Sequence, residues 1–183
     1  VTQWLLDMGA LQIPNNDGDT PLHDTCMYGH TEIVKLLLSH MDIHGQVQTP
    51  NNNGNTPLHY ACAYGRIEIV EVLLSHMDIH GQVQTPNNKG DTPLHYACYN
   101  GYTEIVKLLL QHMDIHGQVQ TPNNKGETSL HYACWDGCTE IVKLLLSHMD
   151  THGQVQTPNN DGELPVDIAR RKGYTAIVQL LEQ

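Results

Sequence analysis

Apolar side chains at Ile69, Val70, Leu73, Leu74 and Met77 recur at steps of three and four, the spacing of a helix that buries one face. A shorter segment precedes them. Thr56 is a good N-cap, Pro57 falls at the first helical position where its missing N–H has no partner to lose, and Gly65 is suited to ending the helix. The second helix begins near Glu68, and Pro86-Asn87-Asn88-Lys89-Gly90 then reads as a turn leading into the next Thr-Pro. The pattern predicts turn, helix, turn and longer helix, a pair that cannot bury its apolar faces without a neighbour.

That neighbour is supplied by repetition. Thr20-Pro21-Leu22-His23 returns as Thr56-Pro57-Leu58-His59, Thr92-Pro93-Leu94-His95 and Thr128-Ser129-Leu130-His131, each copy 36 residues after the last. Four full units are expected over 18–53, 54–89, 90–125 and 126–161. A partial unit over 1–17 precedes them, and a partial capping unit over 162–183 follows. The 183 residues are expected to form one repeat domain. With no Phe and 5% aromatic residues, its core must be built from Leu, Ile, Val, Ala, Cys and Met, which suits small stacked layers better than one large globule.

The string Gly-x-Thr-Pro-Leu-His-x-Ala, then Gly, then Glu-Ile-Val-x-Leu-Leu resembles the ankyrin repeat, and the resemblance covers essentially the whole chain. It implies an all-α solenoid of stacked helix-turn-helix units, L-shaped in section, with β-turn fingers on one side. It further implies a non-catalytic module that binds a protein partner through the concave face of first helices and finger tips. Three departures stand out: Ser129 in place of proline, Thr25 in place of the first alanine, and Leu164 in place of the Thr cap. The family's usual period is about 33. Finger lengths match between Gly9–Gly18 and Gly45–Gly54, so the extra residues fall before the finger glycine. Four more residues amount to about one helical turn. The second helices are therefore expected to run on to about His44, His80, His116 and His152, capped by Gly45, Gly81, Gly117 and Gly153, with a longer hairpin beginning near Met41 as the competing reading.

Charge narrows the partners. Twenty acidic against nine basic side chains, with no basic run longer than Arg170-Arg171-Lys172, argue against nucleic acid and anionic membrane. No apolar run approaches the ~20 residues that span a bilayer, and the N-terminus lacks a signal-peptide pattern, although Val1 falls inside what reads as a helix and a targeting segment upstream is compatible with that. Cys26, Cys62, Cys98 and Cys134 share one repeat position and read as small packing residues, since equivalent helices ~8–10 Å apart are too distant for disulfides. Cys138 follows Cys134 by four, but Gly137 between them ends the helix. Unbridged thiols and the absence of an Asn-x-Ser/Thr site point to an intracellular, reducing compartment.

Thirteen histidines fall into groups. His23, His59, His95 and His131 belong to the repeat signature, where the resemblance implies that the imidazole ties finger to helix. The pairs His40/His44, His76/His80, His112/His116 and His148/His152 lie four apart on one helical face. They lack the Glu of a zincin motif and a third ligand, so polar helix ends are favoured over a metal- or pH-responsive module, and no cofactor or metal is expected. Catalytic motifs are missing: no Gly-x-Ser-x-Gly, no phosphate loop, no paired carboxylates.

Because most positions are copied verbatim between units, the exceptions carry information. They fall in a few columns: Asp19, Asn55, Asp91, Glu127 after the turn glycine; Asp24, Tyr60, Tyr96, Tyr132 in the first helix; Met27, Ala63, Tyr99, Trp135 and Tyr28, Tyr64, Asn100, Asp136 at its end; then His30, Arg66, Tyr102, Cys138. Random drift would not favour Tyr and Trp at exposed positions. Asp19, Tyr28, Tyr60, Tyr64, Asp91, Tyr96, Tyr99, Asn100, Glu127, Tyr132, Trp135 and Asp136 are accordingly expected to bind a partner with a basic and apolar surface, the chain itself being monomeric. The alternatives are a spacer within a longer repeat protein and an engineered consensus repeat protein.

Overall fold

The computed structural model describes residues 13–40, 47–77, 82–113, 119, 121–149 and 154–182. Among them are ten α-helices in five pairs: α1 (Pro21–Tyr28) and α2 (Thr31–His40), α3 (Pro57–Ala63) and α4 (Ile67–Ser75), α5 (Pro93–Tyr99) and α6 (Thr103–Gln111), α7 (Ser129–Asp136) and α8 (Thr139–Ser147), α9 (Pro165–Lys172) and α10 (Thr175–Leu181). Each first helix packs on the first helix of the next unit and on its own second helix, and the second helices pack in a parallel series. The protein is a helical repeat solenoid.

The core is one layer repeated. Leu22, Leu58, Leu94 and Leu130 are fully buried, one per first helix, and Val70, Leu73, Val106, Leu109, Val142 and Leu145 meet them from the second helices. Cys26, Cys62, Cys98 and Cys134 are buried free thiols in the same layer, and burial pushes their pKa values well above the usual range. A side chain this small lets neighbouring first helices approach closely.

Three of the second helices stop short of the ends expected from the sequence. α4 ends at Ser75, α6 at Gln111 and α8 at Ser147, and the next residue leaves the helix with φ near −105° in each case (−105°, −104°, −107°). The cause is local. In a continuing helix the Val72 carbonyl would accept from the His76 amide. Instead it accepts from the Ser75 hydroxyl at 2.7 Å and from His76 Nδ1–H at 2.8 Å, and the His76 amide turns to Leu73 at 3.0 Å. His112 and His148 bond the Leu108 and Leu144 carbonyls in the same way. α4, α6 and α8 thus stop before His76, His112 and His148, whereas α2, in which Ser39 and His40 make the same bonds to the Leu36 carbonyl, still includes His40. His44, His80, His116 and His152, with the expected caps Gly45, Gly81, Gly117 and Gly153, lie outside the described residues.

The fingers interlock. Asn52, Asn88, Asn124 and Asn160 each donate a backbone N–H to the preceding finger (to Asp17, Asn53, Lys89 and Lys125 carbonyls, 2.9–3.0 Å) and a side-chain N–H to the residue 36 positions earlier. Gly54 makes this approach possible: its φ is +78°, and a Cβ there would lie 2.7 Å from the Asn88 amide nitrogen. The ladder holds the fingers in register from one unit to the next.

Candidate functional site

Each finger is bolted to its own helix and to the next finger by the signature histidine. His59 Nδ1 accepts from the Thr56 amide at 3.0 Å and lies 2.9 Å from the Thr56 hydroxyl, while Nε2–H donates to the Asp91 carbonyl at 3.1 Å. His23, His95 and His131 repeat the arrangement toward the Asn55, Glu127 and Glu163 carbonyls. Two acceptor contacts on Nδ1 and a donor on Nε2 require the neutral ring. Burial enforces it, lowering all four pKa values against the partial compensation of the carbonyl bond and, for His59, bringing it to about 4. In α9, Asp167 takes the histidine's place by accepting from the Leu164 amide at 3.0 Å.

A second device is the buried asparagine that opens each turn. Asn123 Oδ1 accepts from the Lys125 and Glu127 amides, and its Nδ2 donates to Asp91 at 2.7 Å, Glu127 at 3.3 Å and the Tyr132 hydroxyl at 3.0 Å. Asn51 and Asn87 do the same toward Asp19 with Tyr60 and toward Asn55 with Tyr96. The column after the turn glycine therefore accepts hydrogen bonds from the next unit. Sequence reasoning missed these asparagines; their invariance beside a variable neighbour was the available signal.

The predicted residues separate into two rows. Tyr60, Tyr96 and Tyr132 form an inner row, half-buried, edge-on to His23, His59 and His95 at 5.8, 5.8 and 5.6 Å. Burial and then the nearby carboxylates raise their pKa values, Tyr60 to about 12. Asp19, Asp91 and Glu127 stand beside this row as its hydrogen-bond acceptors. Tyr28, Tyr64, Tyr99 and Trp135 form the outer row and are 62%, 47%, 49% and 42% exposed at the ends of the first helices. Tyr64 stacks on Tyr60, and Tyr99 stands perpendicular to Tyr132. Asn100 donates to the Tyr96 carbonyl at 2.9 Å, and Asp136 lies back against Gly101, where burial raises its pKa.

Two placements were not legible. His30, Arg66, Tyr102 and Cys138 were grouped with the variable columns, yet Arg66 donates to the Met27 carbonyl and lies over Gly29, and Tyr102 lies over Gly65. Tyr102 and Arg66 thus fasten one unit to the one before. Trp135 is covered from one side by the Lys172 ammonium, 3.6 Å from its ring centre, and by Arg171 at 5.6 Å. The basic run noted in the sequence is an internal partner of the outer row.

Between the rows lie three successive clefts, each spanning one junction of units. The first, about 370 Å³, is lined by Asn55, Tyr60, Ala63, Tyr64, Tyr96 and Tyr99 among others; the second, about 190 Å³, by Lys89, Asp91, His95, Tyr96, Tyr99 and Tyr132; the third, about 290 Å³, by Tyr99, Lys125, Glu127, His131, Tyr132, Trp135 and Ile168. The inner walls are aromatic and fixed by hydrogen bonds, and the outer walls carry the half-exposed rings Tyr64, Tyr99 and Trp135.

No group of three or more His, Cys, Asp or Glu side chains placed to hold a metal ion occurs among the described residues, and no described helix is long and apolar enough to cross a membrane. No curated protein matches the chain. The family model described as Ankyrin repeats (3 copies) matches residues 1–84, 75–157 and 118–183. Repeats of this kind are generally non-enzymatic modules for protein–protein interaction. With matches that run from the first residue to the last and signature histidines, fingers and helix pairs in register, the chain belongs to the ankyrin repeat family.

Proposed function

We propose that this chain is a single, monomeric ankyrin-repeat domain over 1–183, with full units at 18–53, 54–89, 90–125 and 126–161, that binds one protein partner along its first helices and finger tips. It carries no chemistry of its own, and its acidic balance makes nucleic acid and membrane poor partners. The observation that carries the reading is the outer row: Tyr28, Tyr64, Tyr99 and Trp135 stay 42–62% exposed although unit surfaces are otherwise copied nearly verbatim. Large rings left in water at the rim of a preformed groove are the kind of side chain that dominates interface energy. Asp19, Asp91, Glu127 and Asp136 add negative charge along the groove and favour a partner with Arg or Lys beside apolar groups.

Affinity capture with the intact chain and with a Tyr64→Ala, Tyr99→Ala, Trp135→Ala variant tests this. The variant should retain its melting transition and lose the captured partner, each replacement weakening binding by about 2 kcal/mol. Capture that is insensitive to all three replacements would instead support the spacer reading, in which the stack transmits geometry and binds nothing through this face.

A further inference from the structure

The three clefts occupy equivalent places in successive units but differ in chemistry. In the first, Asn55 supplies a neutral amide where the second has Asp91, and Ala63 stands where the second has Tyr99. In the third, Ile168 stands where the second has Tyr132, and the outer ring, Trp135, already carries the Lys172 ammonium. Only the second combines three tyrosine rings with a carboxylate. Tyr99 and Tyr132 stand at 87° to one another with centres 5.6 Å apart, forming two walls of a corner, and Tyr96 makes the third. Asp91 lines the same cleft.

We propose that this second cleft is a subsite for the alkylammonium group of a partner's lysine, a proposal that rests on the partner lying along this face. Ring faces carry negative quadrupole charge and attract a cation that enters between them. Tyr132 is electron-rich for this purpose, because its hydroxyl donates to Glu127 at 3.0 Å with an Asp91 carboxylate oxygen 3.4 Å away. Asp91 gives the cleft wall negative charge, and Glu127 adds to it from behind the Tyr132 hydroxyl. His95, the remaining wall, is held neutral by burial and by its bonds to Thr92 and the Glu127 carbonyl, so it does not oppose a cation. The one opposing charge among the lining residues is Lys89, an exposed finger residue at the edge of the finger turn. The molecule itself shows that a lysine ammonium settles on an outer-row ring one unit further on, where Lys172 covers Trp135.

The test uses soluble probes, so that it does not depend on knowing the partner. Ring resonances of Tyr96, Tyr99 and Tyr132 are followed by NMR during titration with two matched pairs: N-acetyl-lysine amide against N-acetyl-norleucine amide, and choline against its neutral isostere 3,3-dimethylbutan-1-ol. The charged member of each pair should bind about three-fold more tightly than the neutral one, the preference expected of a partly exposed cation–π site. Asp91→Asn should remove most of that preference without unfolding the protein, because Asn55 already fills the same role toward Asn87 one unit earlier. Tyr99→Ala should abolish binding, and Lys89→Gln should strengthen it. Equal affinity for charged and neutral members in both pairs overturns the subsite, whatever the outcome of partner capture. A captured partner that needs Tyr64, Tyr99 and Trp135 yet binds unchanged after its lysines are acetylated also overturns the subsite while leaving the wider groove reading intact.

Discussion

The inner and outer rows of rings lie three or four residues apart on the same short helices, yet they are held by different things. Tyr60, Tyr96 and Tyr132 are enclosed by a histidine edge, a buried asparagine and a carboxylate or amide from the preceding finger. Tyr64, Tyr99 and Trp135 touch an inner ring or a cation and leave a little under half of their surface in water. The same residue type therefore serves the fold in one column and is left over in the next. Changing the scaffold should cost stability in proportion to burial, and changing the outer row should cost binding.

The largest effect is expected in the layer beneath both rows. Leu94 is fully buried between neighbouring units, and Leu94→Ala should lower stability by about 2–5 kcal/mol in chemical denaturation. Deleting one 36-residue unit should leave a shorter, still cooperative stack, because each unit meets only its neighbours. If the three-unit chain fails to fold, packing is not of nearest-neighbour kind and the contrast between rows loses its meaning.

Acid should act on the bolt behind the inner row. Native His59 takes up a proton only near pH 4, whereas the unfolded chain does so near the ordinary value of 6.5. Below 6.5 the unfolded state therefore binds more protons, and stability falls as pH drops from 6.5 toward 4; above 6.5 this contribution is constant. His59 alone accounts for about 3 kcal/mol over that interval, and His23, His95 and His131 act in the same direction. Denaturation curves between pH 8 and 4.5 should show the loss, and His59→Gln, whose side chain can still accept from the Thr56 amide in a capping box, should reduce its slope. A slope unchanged in that variant would mean the bolt does not govern the acid response.

Most of the fold was legible because a repeat offers the same evidence several times over. The Thr-Pro starts at Thr20, Thr56 and Thr92, the glycine stops and the three-and-four spacing of Ile105, Val106, Leu109 and Leu110 placed the helix pairs α1/α2, α3/α4 and α5/α6. The ends of α4, α6 and α8 were misread because Ser75 and His76 continue the helical pattern before them, and nothing in the sequence shows that the His76 amide turns to the Leu73 carbonyl while side-chain donors take the Val72 carbonyl. The candidate face was legible as variable columns, but variability alone could not separate Tyr99, which faces water, from Arg66, which reaches back to Met27. That separation depends on which glycine of the preceding unit leaves room, a fact of packing between units 36 residues apart.

A smaller effect is expected at the asparagine hub. Asn87→Ala removes the acceptor for the Lys89 and Asp91 amides and the donor to Asn55 and Tyr96, so a loss of about 1–3 kcal/mol is expected. Amide exchange should quicken in the finger over 86–91 and remain slow in α6. Uniform acceleration along the chain would show that the fingers are not separable from the helices.

The smallest stability effect, and the sharpest contrast, should come from paired replacements one helical turn apart. Tyr96→Phe deletes a hydroxyl that accepts from Asn87 at 3.1 Å in a half-buried setting, and about 1 kcal/mol should be lost although the ring remains. Tyr99→Ala deletes a whole ring, a far larger chemical change, but the ring is about half exposed and is held mainly by an edge contact to Tyr132. Its removal should therefore alter stability by no more than about 0.5 kcal/mol, as for surface substitutions generally, while weakening capture of a partner by about 2 kcal/mol. The inversion is the point of the pair: losing one oxygen atom from the inner row should harm folding more than losing a ring from the outer row. If Tyr99→Ala proves the more destabilising of the two, Tyr99 belongs to the scaffold, and the groove would have to be redrawn around Tyr64 and Trp135.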